Sequence, residues 1–110
     1  MPGEPTYIEL GVPDRDRALV FYGAVLGWPA GASEVETPTL DIGIHGDDPA
    51  AHLEVFFAVD DLDAALAAVR AAGGVAGAVH DSPGFGRWSE CTDDQGVRFG
   101  LRQESPGGGG

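Results

Sequence analysis

Hydrophobic and polar positions alternate along two short stretches of the chain. From Thr6 to Val12, Ile8, Leu10 and Val12 oppose Tyr7, Glu9 and Gly11, the period of two that predicts a half-buried strand. From His52 to Val59, Leu53, Val55, Phe57 and Val59 oppose His52, Glu54, Phe56 and Ala58 in the same way. Each stretch leads into an aspartate, Asp14 or Asp61, placed to cap a helix by accepting orphan amide hydrogens at its positive end. The first helix carries Ala18, Leu19, Phe21, Tyr22, Val25 and Leu26 and stops at Gly27; the second carries Leu62, Ala65, Leu66 and Val69 and ends at Gly73-Gly74. Further strands are predicted at Ala32 to Glu36, Thr39 to His45, Val75 to His80, Arg87 to Thr92 and Val97 to Arg102, the last pair joined by a turn at Asp94-Gln95-Gly96.

The two halves read better as copies of one unit than as two strand–helix units that converged. A shift of 47 residues superimposes Val12 on Val59, Asp14 on Asp61, Asp16 on Asp63, Ala18 on Ala65, Leu19 on Leu66, Ala24 on Ala71 and Gly27 on Gly74, seven identities in sixteen positions. Such self-similarity is the mark of a duplicated supersecondary unit. If Ile8, Leu10 and Val12 pack under the first helix, Tyr7 and Glu9 point to the opposite face of the sheet. By the same argument Leu53, Val55 and Phe57 face the second helix and leave His52, Glu54 and Phe56 on an open side.

Composition narrows the partners. Eighteen acidic residues against six arginines, with no lysine, give a net charge of −12, a field that repels nucleic acid and anionic membranes and attracts a cationic ligand. The same acidity also serves solubility alone. No apolar run approaches the ~20 residues of a membrane span. Met1 to Glu4 has neither the basic nor the apolar stretch of a secretory leader. Cys91 is the single cysteine, which rules out an internal disulfide and makes a cytoplasmic setting the expected one. A single domain over residues 1–104 is expected, with module one at about 5–46 and module two at about 52–103. The Gly-rich tail, 105–110, is expected to be disordered.

Several motifs resemble one superfamily. Val12-Pro13-Asp14, Phe21-Tyr22 and Val25-Leu26-Gly27-Trp28 resemble the opening of vicinal oxygen chelate domains, the superfamily of glyoxalases, bleomycin-resistance proteins and extradiol dioxygenases. Val59-Asp60-Asp61-Leu62-Asp63-Ala64-Ala65 is similar to the start of their second module. Pro83-Gly84-Phe85-Gly86-Arg87-Trp88 and Asp93 to Leu101 are similar to its close. The resemblance covers about residues 5 to 103 and implies an α+β fold. Two βαβββ-type modules would form a curved mixed sheet with helices on the outer face, usually completed as a homodimer. Only 23 residues separate Trp28 from His52, so the first module is expected to be shortened.

The resemblance also implies where a metal would sit. Metal-dependent members use side chains from the first strand of each module and a glutamate from the last strand; these positions fall on Tyr7, Glu54 and Gly100. Only Glu54 is a usual ligand for a divalent ion, and zinc, nickel or iron sites want about three protein ligands. No metal and no cofactor are therefore expected; should a metal be present, Glu54, His52 and Glu9 are its expected ligands. His45 and His80 fall at loop edges and are expected to be solvated, as is His52 at its strand entrance. Cys91 reads as a small buried hydrophobe. The leading expectation is a metal-free protein that binds a small, flat or cationic molecule through Tyr7, Glu9, Glu54, Phe56, Trp88 and Glu90. Trp88 would stack on the ligand and Glu54 or Glu90 would supply countercharge. The alternative is a metal-dependent lyase, isomerase or dioxygenase with an atypical ligand set, or an acid–base catalyst using Glu54.

Overall fold

A computed structural model describes residues 3–29, 31 and 34–104. These residues form eight strands and two helices with mixed strand pairing, an α+β arrangement. They divide into two compact units, one spanning Tyr7–Val55 and the other holding the remaining described residues. No helix among the described residues is long and apolar enough to cross a membrane.

The first unit is built on β1 (Pro5–Gly11), α1 (Arg15–Leu26), β2 (Glu34–Glu36) and β3 (Asp41–His45). β3 runs parallel to β1, with Glu9 opposite Gly43, and antiparallel to β2. Asp14 caps α1, its carboxylate accepting the Arg17 amide, and Gly27 ends the helix at φ 76°, a left-handed conformation that glycine adopts without a Cβ clash. Leu10, Leu19, Val35 and Ile44 form the core, joined by Val12, Tyr22, Trp28 and Ile42. Trp28 packs here by stacking on Tyr22, 5.0 Å between ring centres. The helix faces the core through Leu19 and Tyr22 and leaves Val20, Phe21, Val25 and Leu26 exposed. β3 starts at Asp41 instead of Thr39 because the Thr37 hydroxyl accepts the amides of Thr39 and Leu40, a local turn that competes with strand pairing. Residues 32 and 33 of the expected second strand, and the tail 105–110, lie outside the described residues.

The second unit contains α2 (Leu62–Ala71), β5 (Val75–Ala76), β6 (His80–Ser82), β7 (Gly86–Thr92) and β8 (Arg98–Gln103), and the last residues of β4 (His52–Ala58), which begins in the first unit. β4 pairs parallel with β8, placing Phe56 opposite Gly100, and β7 is antiparallel to β8, β6 and β5. The single strand expected at Val75 to His80 is interrupted: at Gly77 the backbone passes so close to the Glu90 carbonyl that a Cβ would lie 2.1 Å from its oxygen. β5 and β6 thus act as two halves of one strand along β7, which leaves the second module with three strands after its helix and the first with two. Asp61 caps α2 by accepting the Ala64 amide. In the turn after β7, Asp93 accepts the amides of Gln95 and Val97, and these bonds hold its carboxyl below the usual carboxylate range.

The core of this unit comprises Leu62, Leu66, Cys91 and Leu101, with Phe57, Val59, Val69 and Phe99 against it. Cys91 is buried there as a small hydrophobe. Two faces of β4 depart from the alternation argument. Leu53 is 63% exposed instead of lying under a helix, while Glu54 and Phe56, expected on an open side, are 1% and 3% exposed. Period two tells which residues share a face; it does not tell which face is covered. Leu62→Ala should therefore lower the unfolding free energy by about 2–5 kcal/mol. Leu53→Ala should change it by under about 0.5 kcal/mol, both measured by urea denaturation.

Candidate functional site

In the first unit, the face of β1 and β3 turned away from α1 carries a chain of polar contacts. The Tyr7 hydroxyl donates to Glu9 Oε1 at 2.6 Å, and Glu9 Oε2 lies 2.5 Å from His45 Nδ1. His45 Nε2 is 3.0 Å from Asp48 Oδ2. His52 Nδ1 is 3.5 Å from the same oxygen and donates to the Ala50 carbonyl at 2.7 Å. Asp48 in turn accepts the Ala50 amide through Oδ1 at 3.0 Å.

Two glycines make room for this chain. A Cβ on Gly43 would stand 1.7 Å from the Tyr7 hydroxyl oxygen and 2.6 Å from Glu9 Oε1; one on Gly11 would stand 2.5 Å from His52 Cε1 and 2.7 Å from His45 Nε2. The hydrogen bond to Glu9, then that to Asp48, keeps His45 protonated to higher pH than an ordinary histidine, against a smaller opposing effect of partial burial. The bond from His45, then that from the Ala50 amide, holds the Asp48 carboxyl below its usual value. The pair therefore favours the folded state only while His45 is protonated and Asp48 ionised. Its contribution fades as pH rises through the raised histidine value and as pH falls through the lowered aspartate value.

This corrects the expectation that His52 is solvated, whereas His45 keeps a side chain that is 43% exposed. His45 is fixed between two carboxylates, and the His52 side chain is only 16% exposed. The signal was present in the sequence: Ile42 and Ile44 face the core, so Gly43 and His45 must share the opposite face with Glu9. Asp48 had no such signal, because loop residues have no period.

The second unit carries an aromatic cluster instead. Trp88 is half-buried, stacks on His80 with centres 4.3 Å apart, and meets Phe56 and Phe85 edge-on at 5.8 and 6.3 Å. Its indole nitrogen donates to Ser82 Oγ at 3.0 Å. The Arg102 guanidinium lies 4.0 Å over the Phe85 ring. His80 is exposed, as expected, and also stacks on Trp88. Glu90, a candidate countercharge, pairs with Arg98 at 3.2 Å. Phe56, a candidate ligand contact, packs flat on Gly100: a Cβ there would lie 2.2 Å from Phe56 Cδ2.

That last contact bears on the metal positions. Gly100 offers no donor, and the Phe56 ring fills the space its side chain would take. Tyr7 commits its hydroxyl to Glu9. Glu54 is buried and is the one carboxylate among the three positions. The residues present do not fit a metal at Tyr7, Glu54 and Gly100.

The sequence matches the family described as "Glyoxalase-like domain" over residues 7–102. The chain belongs to that family. It is accordingly a member of the vicinal oxygen chelate superfamily. CFP32, a protein of Mycobacterium tuberculosis and Mycobacterium bovis named as a glyoxylase, is 33% identical over 89% of this glyoxalase-like chain and 43% of its own length. The chain thus spans less than half the length of the curated relatives it matches. Methylmalonyl-CoA epimerase from Mycobacterium tuberculosis has a similar fold, with TM-score 0.67, 18% identity, and coverage of 97% of this chain and 91% of that one. A Streptomyces coelicolor methylmalonyl-CoA epimerase variant in complex with 2-nitronate-propionyl-CoA gives TM-score 0.65 and 18% identity over 96% and 100%. At such identity the likeness is one of fold.

The Phe56–Gly100 contact predicts strong coupling. Gly100→Ala should destabilise the protein by about 1–3 kcal/mol by overpacking, but should cost little when added to Phe56→Ala, as a double-mutant cycle in urea would read. Equal costs in the two backgrounds would mean that the ring does not cover the glycine.

Proposed function

We propose that this glyoxalase-like chain binds a small organic molecule, flat or cationic, without a metal at the positions where metal-dependent members of the superfamily hold one. The observation that carries this reading is the Phe56 ring on Gly100, which removes the last-strand ligand and fills its place. Two features support the ligand class. Trp88 is a half-buried indole whose partners His80, Phe56 and Phe85 hold it in place, as a stacking surface requires. Glu9 and Glu54 add carboxylates on β1 and β4 in a chain of net charge −12, which favours cations over anions. Glu90 and Glu9 are the weaker candidates for countercharge, because Arg98 and His45 already pair with them. Sequestration of such a molecule needs no catalytic group.

The reading includes a cytoplasmic homodimer. The dimer that the resemblance implies draws support from the apolar side chains Val20, Phe21, Val25 and Leu26, which α1 leaves in water. A second reading, an enzyme that moves a proton on a small substrate, is favoured by one observation: Glu54 is 1% exposed, and a carboxylate removed from water acts strongly on whatever is placed beside it. The name of CFP32 and the epimerase folds agree with that class.

Thermal-shift screening against flat and cationic organic molecules should find a stabilising ligand, since binding to the native state raises the melting temperature. His80 covers one face of Trp88, so a ring-bearing ligand stacks on the other face or takes the place of His80. Trp88→Ala should then weaken the ligand by ~2 kcal/mol, about thirtyfold, and Trp28→Ala far less. Turnover of a thioester or hemithioacetal that Glu54→Gln abolishes while Trp88→Ala spares would reject the binding reading in favour of the enzyme.

A further inference from the structure

We propose that His45, Asp48 and His52 form a site for one divalent transition-metal ion, with none of Tyr7, Glu54 and Gly100 among its ligands. One ligand atom from each residue lies within 4.8 Å of the others. His45 Nε2 and His52 Nδ1 approach the same Asp48 oxygen at 3.0 and 3.5 Å. An ion with bonds of about 2.1 Å in tetrahedral geometry sets its ligand atoms roughly 3.4 Å apart, so the three groups need only small adjustments to close on it. Coordination through the His52 nitrogen nearest Asp48 exchanges its hydrogen bond to the Ala50 carbonyl for the ion.

Three further features fit a metal better than a surface ion pair, which in water contributes little. Glu9 sits on the far nitrogen of His45, and Tyr7 in turn holds Glu9. A metal-binding imidazole almost always donates its other N–H to a carboxylate or carbonyl in this way, which fixes the ring and raises its basicity. Gly11 leaves both rings the space they occupy, since any Cβ there would run into His52 and His45. The donor set of two imidazoles and one carboxylate is suited to zinc, nickel, cobalt or iron, not to magnesium or calcium, which prefer oxygen donors throughout. The His45 side chain is 43% exposed, so water or a ligand atom can complete the coordination. The site shares no residue with the Trp88 cluster, and its failure in the test below would leave the proposed binding of an organic ligand standing.

The test uses untagged protein stripped of metal and titrated calorimetrically with Zn²⁺, Ni²⁺ and, as a control, Mg²⁺. One Zn²⁺ or Ni²⁺ should bind per chain and Mg²⁺ should not. Asp48→Asn and His52→Ala should each weaken binding at least tenfold, and Glu9→Gln by about 10–100-fold. His80→Ala should bind as the wild type does. In the wild-type protein, Co²⁺ should broaden the imidazole NMR signals of His45 and His52 before those of His80, a readout that does not depend on any variant folding. The proposal is overturned if the wild type takes up no Zn²⁺ or Ni²⁺. Uptake that survives in a folded His45→Ala/His52→Ala double variant, or broadening that reaches His80 first, overturns it equally.

Discussion

In each unit the last strand passes so close beneath a side chain of the first that only a glycine fits. Gly43 of β3 lies under Tyr7 and Glu9, and Gly100 of β8 lies under Phe56. The two places are related by the duplication, because the shift of 47 that superimposes the halves carries Glu9 onto Phe56, and Glu9 pairs with Gly43 as Phe56 pairs with Gly100. A side chain on either glycine would collide with the residue above it, so the last strands cannot contribute a metal ligand at these points while that packing holds. The chemistry of the chain follows from this restriction.

What replaces it differs between the copies. Where the first copy has Glu9, a carboxylate that reaches His45 and through it Asp48, the second has a phenyl ring against Trp88 and Phe85. One duplicated scaffold thus presents a polar, histidine-bearing face in one unit and an aromatic face in the other. In both, the core on the helix side keeps the same pattern, a leucine of the helix against alternate strand residues.

The fold was legible from particular residues. Alternation located β1 and β4, Asp14 and Asp61 marked the helix starts, and the 23 residues between Trp28 and His52 marked the shortened first module. Burial on the far side was not legible: alternation sorts Leu53 from Glu54 but cannot tell that the leucine meets water and the glutamate does not. The site was partly legible. Tyr7 and Glu9 belong to the polar network, and Trp88 to the aromatic cluster, as their strand positions required. His45 was missed although the alternation of Ile42 and Ile44 puts it on the face of Glu9, and Asp48 was missed because it sits in a loop, where spacing carries no geometric information. Gly43 and Gly100 read as empty positions, whereas their function is to accept the side chain above them.

The proposed metal site lies with His45, Asp48 and His52, not with the strand positions closed by Phe56 and Gly100. Crystals of the protein soaked in Zn²⁺ or Co²⁺, with data collected on either side of the metal absorption edge, test it directly. The account predicts an anomalous peak at about 2.0–2.2 Å from the imidazole nitrogens and the aspartate oxygen, with the Phe56 ring still lying on Gly100. A peak beside Glu54 instead, with Phe56 turned away from the glycine, would contradict it.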